Sequence, residues 1–415
     1  MIRPKHLLFP KLRAVEVHSH RQNGADYYLL RDPLELSNGS LLVPTFFGPL
    51  LSLCDGTLED ATALASTLTV RYGVGIDVAT IEEVLTALDE ALLLENERSV
   101  EALRARIEAF RRQPFRAAAL AGLSYPAERR ELAKLLDDYL AQTGARRNGN
   151  GNGHSGRAAR PGIFSPHIDY PRGGPVYAHA WQAMQDAVDG ADLAVLIGTD
   201  HHGDDLFTLT RQHYATPFGT LPTETRIVDS LAAALGEDDV YAGELRHINE
   251  HSLELVAVWL HHMRQGRPLP VVPVLVGSLH RFYGKERSPA DHSPVQTFLQ
   301  TLETHLQGRD VLVVASGDLA HVGPAFGGAP LTAQDRLQVR SADRTLIDHL
   351  VAGDAEGFFQ AVGRIRNRNN VCGVTPGYLA LKLMGDVRGD EMAYQSCPAD
   401  AQDTSAVTVT GIAYW

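Results

Sequence analysis

Cysteine is scarce in this chain: only Cys54, Cys372 and Cys397 occur among 415 residues. Three thiols without suggestive spacing exclude a disulfide framework and favour a reducing compartment. Excess positive charge is also missing. With 38 Lys and Arg against 50 Asp and Glu, the formal charge is −12, which argues against the clustered basic footprint of a nucleic-acid binder. No apolar run approaches the roughly 18 residues of a membrane span. The opening Met1-Ile2-Arg3-Pro4-Lys5-His6 lacks the apolar stretch of a secretory signal. A cytoplasmic protein without a membrane or nucleic-acid partner is therefore expected. What remains is ordinary globular material, 44% apolar and 21% charged, long enough for two domains.

The stretch from about residue 26 to 95 reads as a small unit. Tyr27-Tyr28-Leu29-Leu30 and Ser40-Leu41-Leu42-Val43 flank Ser37-Asn38-Gly39, and Asn-Gly is a strong hairpin signal. Pro44 suits a first helical turn, with Asp55-Gly56 closing that helix. Thr57 and Asp60 suit the cap of a second helix running to Tyr72. Ile81, Val84, Leu85, Leu88 and Leu92 have the spacing of a buried face on a third. A hairpin with three helices predicts a winged-helix module. A charged helix from Glu97 to Arg112 follows, then Pro114 and a helix ending near Tyr139. Residues 144–160, rich in Gly and Asn and including His154, read as a flexible insertion.

The informative part lies beyond. Ile163-Phe164, Ala194-Val195-Leu196-Ile197 and Val311-Leu312-Val313-Val314 are short apolar runs without alternation, the pattern of parallel strands covered on both faces. Each is followed by side chains of ligand quality: Pro166-His167, Thr199-Asp200-His201-His202, and Ser316-Gly317-Asp318-Leu319-Ala320-His321. Carboxyl ends of parallel strands form the crevice of an open α/β sheet, so these histidines can converge. Val371-Cys372-Gly373 adds a thiol at a predicted helix start, where its pKa is expected to fall. A lone strand-end histidine is more often structural; several together favour a metal site. Chemistry alone does not choose between His201 and His202. Asp200 is expected to support an imidazole from behind, and Asp318 to orient His321, three residues on. Asp169 either orients His167 or faces solvent. Glu250 and Glu254, one turn apart around His251-Ser252-Leu253, suit capping, packing or a pocket wall.

Two resemblances organise these motifs. Leu50-Leu51-Ser52-Leu53-Cys54-Asp55-Gly56-Thr57, with the helix ending at Ala91-Leu92-Leu93-Leu94, resembles PqqD-like domains, which implies a peptide-recognition or docking role for residues 1–113. Ala121-Gly122-Leu123-Ser124-Tyr125-Pro126, Pro166-His167-Ile168-Asp169-Tyr170, Asp200-His201-His202, Glu250-His251-Ser252-Leu253-Glu254, Gly317-Asp318-Leu319-Ala320-His321 and Cys372-Gly373 resemble the Memo family, also called AmmeMemoRadiSam system protein B. That likeness spans residues 114–415 and implies an α/β fold akin to class III extradiol dioxygenases, with a largely parallel central sheet. It implies His167, His202 and Cys372 as metal ligands, and His201 as a neighbour in the wall. It also suggests His321, Asp318 and His251 as catalytic groups, and Asp169, Tyr170, Asp200 and Glu250 around the pocket.

Two imidazoles and a thiolate leave coordination positions open, as catalytic sites do. The expectation is a non-haem iron(II) oxidoreductase using dioxygen on a peptide or a small aromatic or anionic substrate, with copper or zinc as alternatives. A cysteine stands where the extradiol enzymes have a carboxylate, so ring cleavage does not follow from the likeness. Competing readings are a non-catalytic phosphopeptide-binding scaffold and a zinc hydrolase.

Overall fold

The computed structural model describes residues 8–37, 39–144, 159–285 and 287–415; Asn38 and most of the Gly/Asn-rich insertion, His154 included, lie outside the described residues. Two compact units divide the chain between Arg112 and Gln113.

In the N-terminal unit, β1 (Glu16–Gln22), β2 (Ala25–Arg31) and β3 (Leu41–Pro44) form an antiparallel sheet in that order. The two-residue turn falls at Asn23-Gly24, where φ is 51° and 80°. Positive φ at both central positions is what a tight hairpin turn demands; of the expected pair at 38–39, Asn38 lies outside the described residues, while the strands flanking it do pair as β2 and β3. Pro44 ends β3 and caps the short 3-10 helix Thr45–Phe47, which runs into α1 (Gly48–Leu53), with Pro49 in the first turn of α1. Asp60 caps α2 (Ala61–Tyr72) by accepting from the Thr62 and Ala63 amides, while Thr57 bonds to Asp55. Ile81, Leu85 and Leu88 of α3 (Val78–Glu90) are buried with Leu30, Leu50, Leu64 and Leu68. Helix α4 (Glu97–Arg111) closes the unit.

The second unit is mixed α/β. After α5 (Arg129–Ala141) come β4 (Gly162–Ser165), α6 (Tyr170–Ala183), α7 (Gln185–Gly190) and β5 (Leu193–Thr199). A short β6 (Thr208–Leu209) and the ribbon of β7 (Tyr214–Thr216) and β8 (Gly219–Leu221) precede α8 (Thr225–Leu235) and α9 (Glu237–Tyr241). Then follow α10 (His251–Met263), β9 (Val271–Val276), α11 (Ser293–Leu306) and β10 (Val311–Ser316). The chain finishes with β11 (His321–Val322), α12 (Ala333–Val351), α13 (Ala355–Arg364), α14 (Val374–Met384), β12 (Gly389–Pro398) and β13 (Ala406–Tyr414).

Strands β4, β10, β5 and β9 lie parallel at the centre of the main sheet, with β6 antiparallel at one edge and β13, β11 and β12 antiparallel at the other. Alternate side chains leave opposite faces of a strand, and both faces are covered. Val195, Ile197 and Val313 pack with α8, α11 and α14; Ala194, Leu196, Leu312 and Val314 pack with Trp181 and Trp259. This two-sided burial explains why the strands read as unbroken apolar runs.

Candidate metal centre

Ser316, the last residue of β10, pairs with Ser165 on β4 and with Gly198 on β5. The three strands therefore end side by side, and the loops leaving them carry His167, His201 and Asp318. Cys372 arrives from the far side, just ahead of α14. Glycine makes that approach possible: a Cβ on Gly317 would stand 2.3 Å from the Gly373 Cα, and one on Gly373 would stand 2.9 Å from the Asp318 carbonyl oxygen. The two loops touch backbone to backbone, and the Cys372 thiol reaches the strand ends.

Donor atoms of His167, His201 and Cys372 lie within 4.8 Å of one another. The Cys372 Sγ is 3.2 Å from His167 Nε2. His202 is outside this group; of the two neighbouring imidazoles it is His201, and not the expected His202, that the fold brings close to His167 and the thiol. The reason is the turn after β5. Asp200 accepts the His202 amide at 3.1 Å and the Arg246 Nε at 2.7 Å, while Glu250 takes both the amide and Nδ1 of His201, each at 3.0 Å. The carboxylate behind the imidazole is thus Glu250, not Asp200.

Two other expectations need correction. Asp318 does not orient His321. Its Oδ1 accepts the His167 amide at 2.8 Å, and the His321 Nδ1 faces the carbonyls of Leu319 (3.2 Å) and Asn370 (3.1 Å). Asp169 neither supports His167 nor stands free in solvent; it caps α6 and pairs with Arg172. Tyr170 is fully buried, its hydroxyl bonded to the Leu255 carbonyl and its ring stacked on Tyr125, so it supports the wall from behind.

His251 stacks on His201 with centroids 4.5 Å apart and meets His167 edge-on at 5.0 Å. Glu254 is buried and holds the Ala-Gly-x-x-Tyr-Pro segment: Arg116, the Tyr125 hydroxyl and the amides of Ala119 and Leu120 all converge on it. Leu120 and Ser124 of that segment join Ile168, Arg172, Asn249 and Phe326 around a pocket of about 440 Å³ containing His167, His251, Asp318 and His321.

Tautomers follow from the partners. The Ser316 hydroxyl donates to the Ser252 carbonyl at 2.5 Å, so toward His167 Nδ1, 3.4 Å away, it is an acceptor. His167 then carries its proton on Nδ1 and offers Nε2 beside the sulfur. Burial, with His251 and His201 nearby, drives the His167 pKa well below its ordinary value. Burial also opposes charge on His201, but its bonds to Cys372 and Glu250 win and push its pKa up to about 11. The Cys372 thiol is raised by burial, with His201 only partly offsetting this. The expected depression at a helix start is not found, because desolvation outweighs the helix end. The cluster therefore holds protons that a bound cation would displace. Two imidazoles and a soft sulfur converging beside an open pocket suit iron, copper or zinc.

An α/β protein with a His/His/Cys centre at its parallel strand ends is the class that these features define. The Memo-like protein family model matches residues 116–413, and the chain belongs to the Memo family. A MEMO1 family protein of Aquifex aeolicus (strain VF5) is 26% identical over 413 residues, covering 98% of this chain and 100% of its own. MEMO1 family proteins of Thermus thermophilus (28% identical over 329 residues; 78% of this chain, 90% of theirs) and Methanopyrus kandleri (27% over 304 residues; 70% and 95%) are also similar. No helix among the described residues is long and apolar enough to cross a membrane.

Proposed function

We propose that this chain is a metal-dependent oxidoreductase in which His167, His201 and Cys372 hold non-haem iron(II), facing the pocket of His251 and His321. The observation that carries this reading is the convergence of those three donors within 4.8 Å, with His167 also lining the adjoining cavity. When bound, ferrous iron supplies electrons to dioxygen. His167 and His201 each keep Nδ1 engaged with the protein, leaving Nε2 for the ion. His321 is the proton-handling group. With Nδ1 turned to the Leu319 and Asn370 carbonyls, its Nε2 is the nitrogen available to take or give a proton. Asp318 lends charge nearby: burial lowers the His321 pKa and Asp318 opposes that fall. Phe326, edge-on to His321 at 5.1 Å, supplies an apolar wall. Kinship in fold to extradiol dioxygenases belongs to this proposal, with Cys372 where those enzymes use a carboxylate.

The phosphopeptide-scaffold reading fares less well. Among the described residues, Arg172 is the one Arg or Lys around the pocket, and it is engaged by Asp169 and by the Pro398 carbonyl; a phosphate would want a free guanidinium. A peptide substrate fits better through the N-terminal unit, for which we propose a PqqD-like winged-helix role. Its edge strand β1 is exposed from Val17 to Gln22, the arrangement that strand addition uses.

Anaerobic purification, metal analysis and oxygen uptake test the main reading. Redox-active metal with oxygen consumption supports it; zinc without oxygen uptake points to a hydrolase, and a metal-free active binder to a scaffold. His321→Ala should retain metal and lose turnover.

A further inference from the structure

Glu250 has no exposed surface, yet it ends the loop that meets two histidines lining the site. Its Oε1 lies 3.0 Å from His201 Nδ1 and 3.2 Å from His251 Nδ1. The same carboxylate accepts the Ser252 amide at 2.9 Å and the His201 amide at 3.0 Å. Its backbone is fixed as well, the amide to the Arg246 carbonyl and the carbonyl to the Arg116 guanidinium, both at 3.2 Å. It cannot turn away from either ring.

An ionised carboxylate only accepts hydrogen bonds. Both imidazoles must then carry hydrogen on Nδ1, so the nitrogen left to shed a proton to a bound cation, or to hold a lone pair, is Nε2. We infer that Glu250 is a positioning residue that locks His201 and His251 in one tautomer, so that the stacked pair presents two Nε2 lone pairs. His201 gives its own to the ion. His251, whose ring stands edge-on to His167, keeps its own for a proton or a substrate donor in the pocket. One buried carboxylate would thereby set a ligand and a pocket base together. This rests on the metal reading above and adds to it a shared control over two rings.

The test uses the full-length chain loaded with zinc, which is diamagnetic. Two-bond proton–nitrogen correlations should report Nδ1–H on both His201 and His251, with assignment by His201→Gln and His251→Gln. Glu250→Gln should remove that pattern from at least one ring and weaken zinc about 10- to 100-fold, the usual effect of losing a ligand's supporting carboxylate. An Nε2–H tautomer on His251 in the unsubstituted protein would overturn the inference, and this needs no variant that folds poorly. So would zinc affinity unchanged in Glu250→Gln, or two zinc ions per chain with one lost in that variant, since Glu250 would then be a ligand itself. Cys372→Ala separates the two claims. If that variant binds zinc undiminished, the metal reading fails, while Nδ1–H on both rings still supports the carboxylate lock.

Discussion

Buried histidines occur in two settings in the second unit, and the contrast shows what marks a ligand. His247 and His261 are as buried as His167. His247 donates from Nε2 to the Thr208 carbonyl at 3.1 Å and accepts the Tyr214 hydroxyl on Nδ1 at 2.6 Å. His261 likewise donates to the Gly266 carbonyl at 3.1 Å and accepts from Thr216 at 2.8 Å. Both nitrogens are consumed by neutral partners. At the strand ends, His167, His201 and His321 each commit Nδ1 to the fold and turn the other nitrogen toward the thiol or the pocket. His167 is as buried as the structural pair, so burial alone does not separate the settings; the nitrogen left for the thiol or the pocket does.

Replacing a residue from each setting should separate them. The largest effect is expected for His167→Ala, which should abolish metal binding in equilibrium dialysis while leaving far-UV circular dichroism intact. Gly317→Ala comes next. Its methyl has no room against Gly373, so a loss of about 1–3 kcal/mol in denaturant unfolding should accompany weaker metal binding as the Cys372 loop is displaced. His247→Gln should behave oppositely, costing roughly 1–3 kcal/mol of stability through its broken hydrogen bonds with metal affinity unchanged.

That variant also has a pH signature. Burial holds the His247 pKa down to about 3, against an ordinary value near 6.5. A base depressed in the folded state adds stability that is present above pH 6.5 and is lost as pH falls toward 3. Unfolding free energy should therefore drop with a slope of up to about 1.4 kcal/mol per pH unit for this group, and His247→Gln should flatten that part of the profile. The smallest effect is expected for His202→Ala, which should bind metal like the parent chain. A loss there equal to that of His201→Ala would break the contrast.

How much of this was legible beforehand depends on the range of the interaction. The strands at 163, 194 and 311 were readable because two-sided burial leaves a local mark. So was the Ile81/Leu85/Leu88 face of α3. The choice between His201 and His202 was not, since Arg246 and Glu250, 46 and 49 residues away, set the turn that separates them. Sequence proximity misled twice. Asp200 adjoins His201 but braces Arg246, and Asp318 is near His321 but serves His167. The Gly317–Gly373 contact joins loops that only the fold brings together; a glycine on each side of the proposed ligands was the one available sign.

Titrating cobalt(II) anaerobically into the full-length chain tests the central claim most directly. A near-ultraviolet sulfur-to-cobalt charge-transfer band should grow to saturation and be absent in Cys372→Ala, with Cys54→Ala and Cys397→Ala retaining it. A band that survives Cys372→Ala, or cobalt bound without any such band, would contradict a centre built from His167, His201 and Cys372.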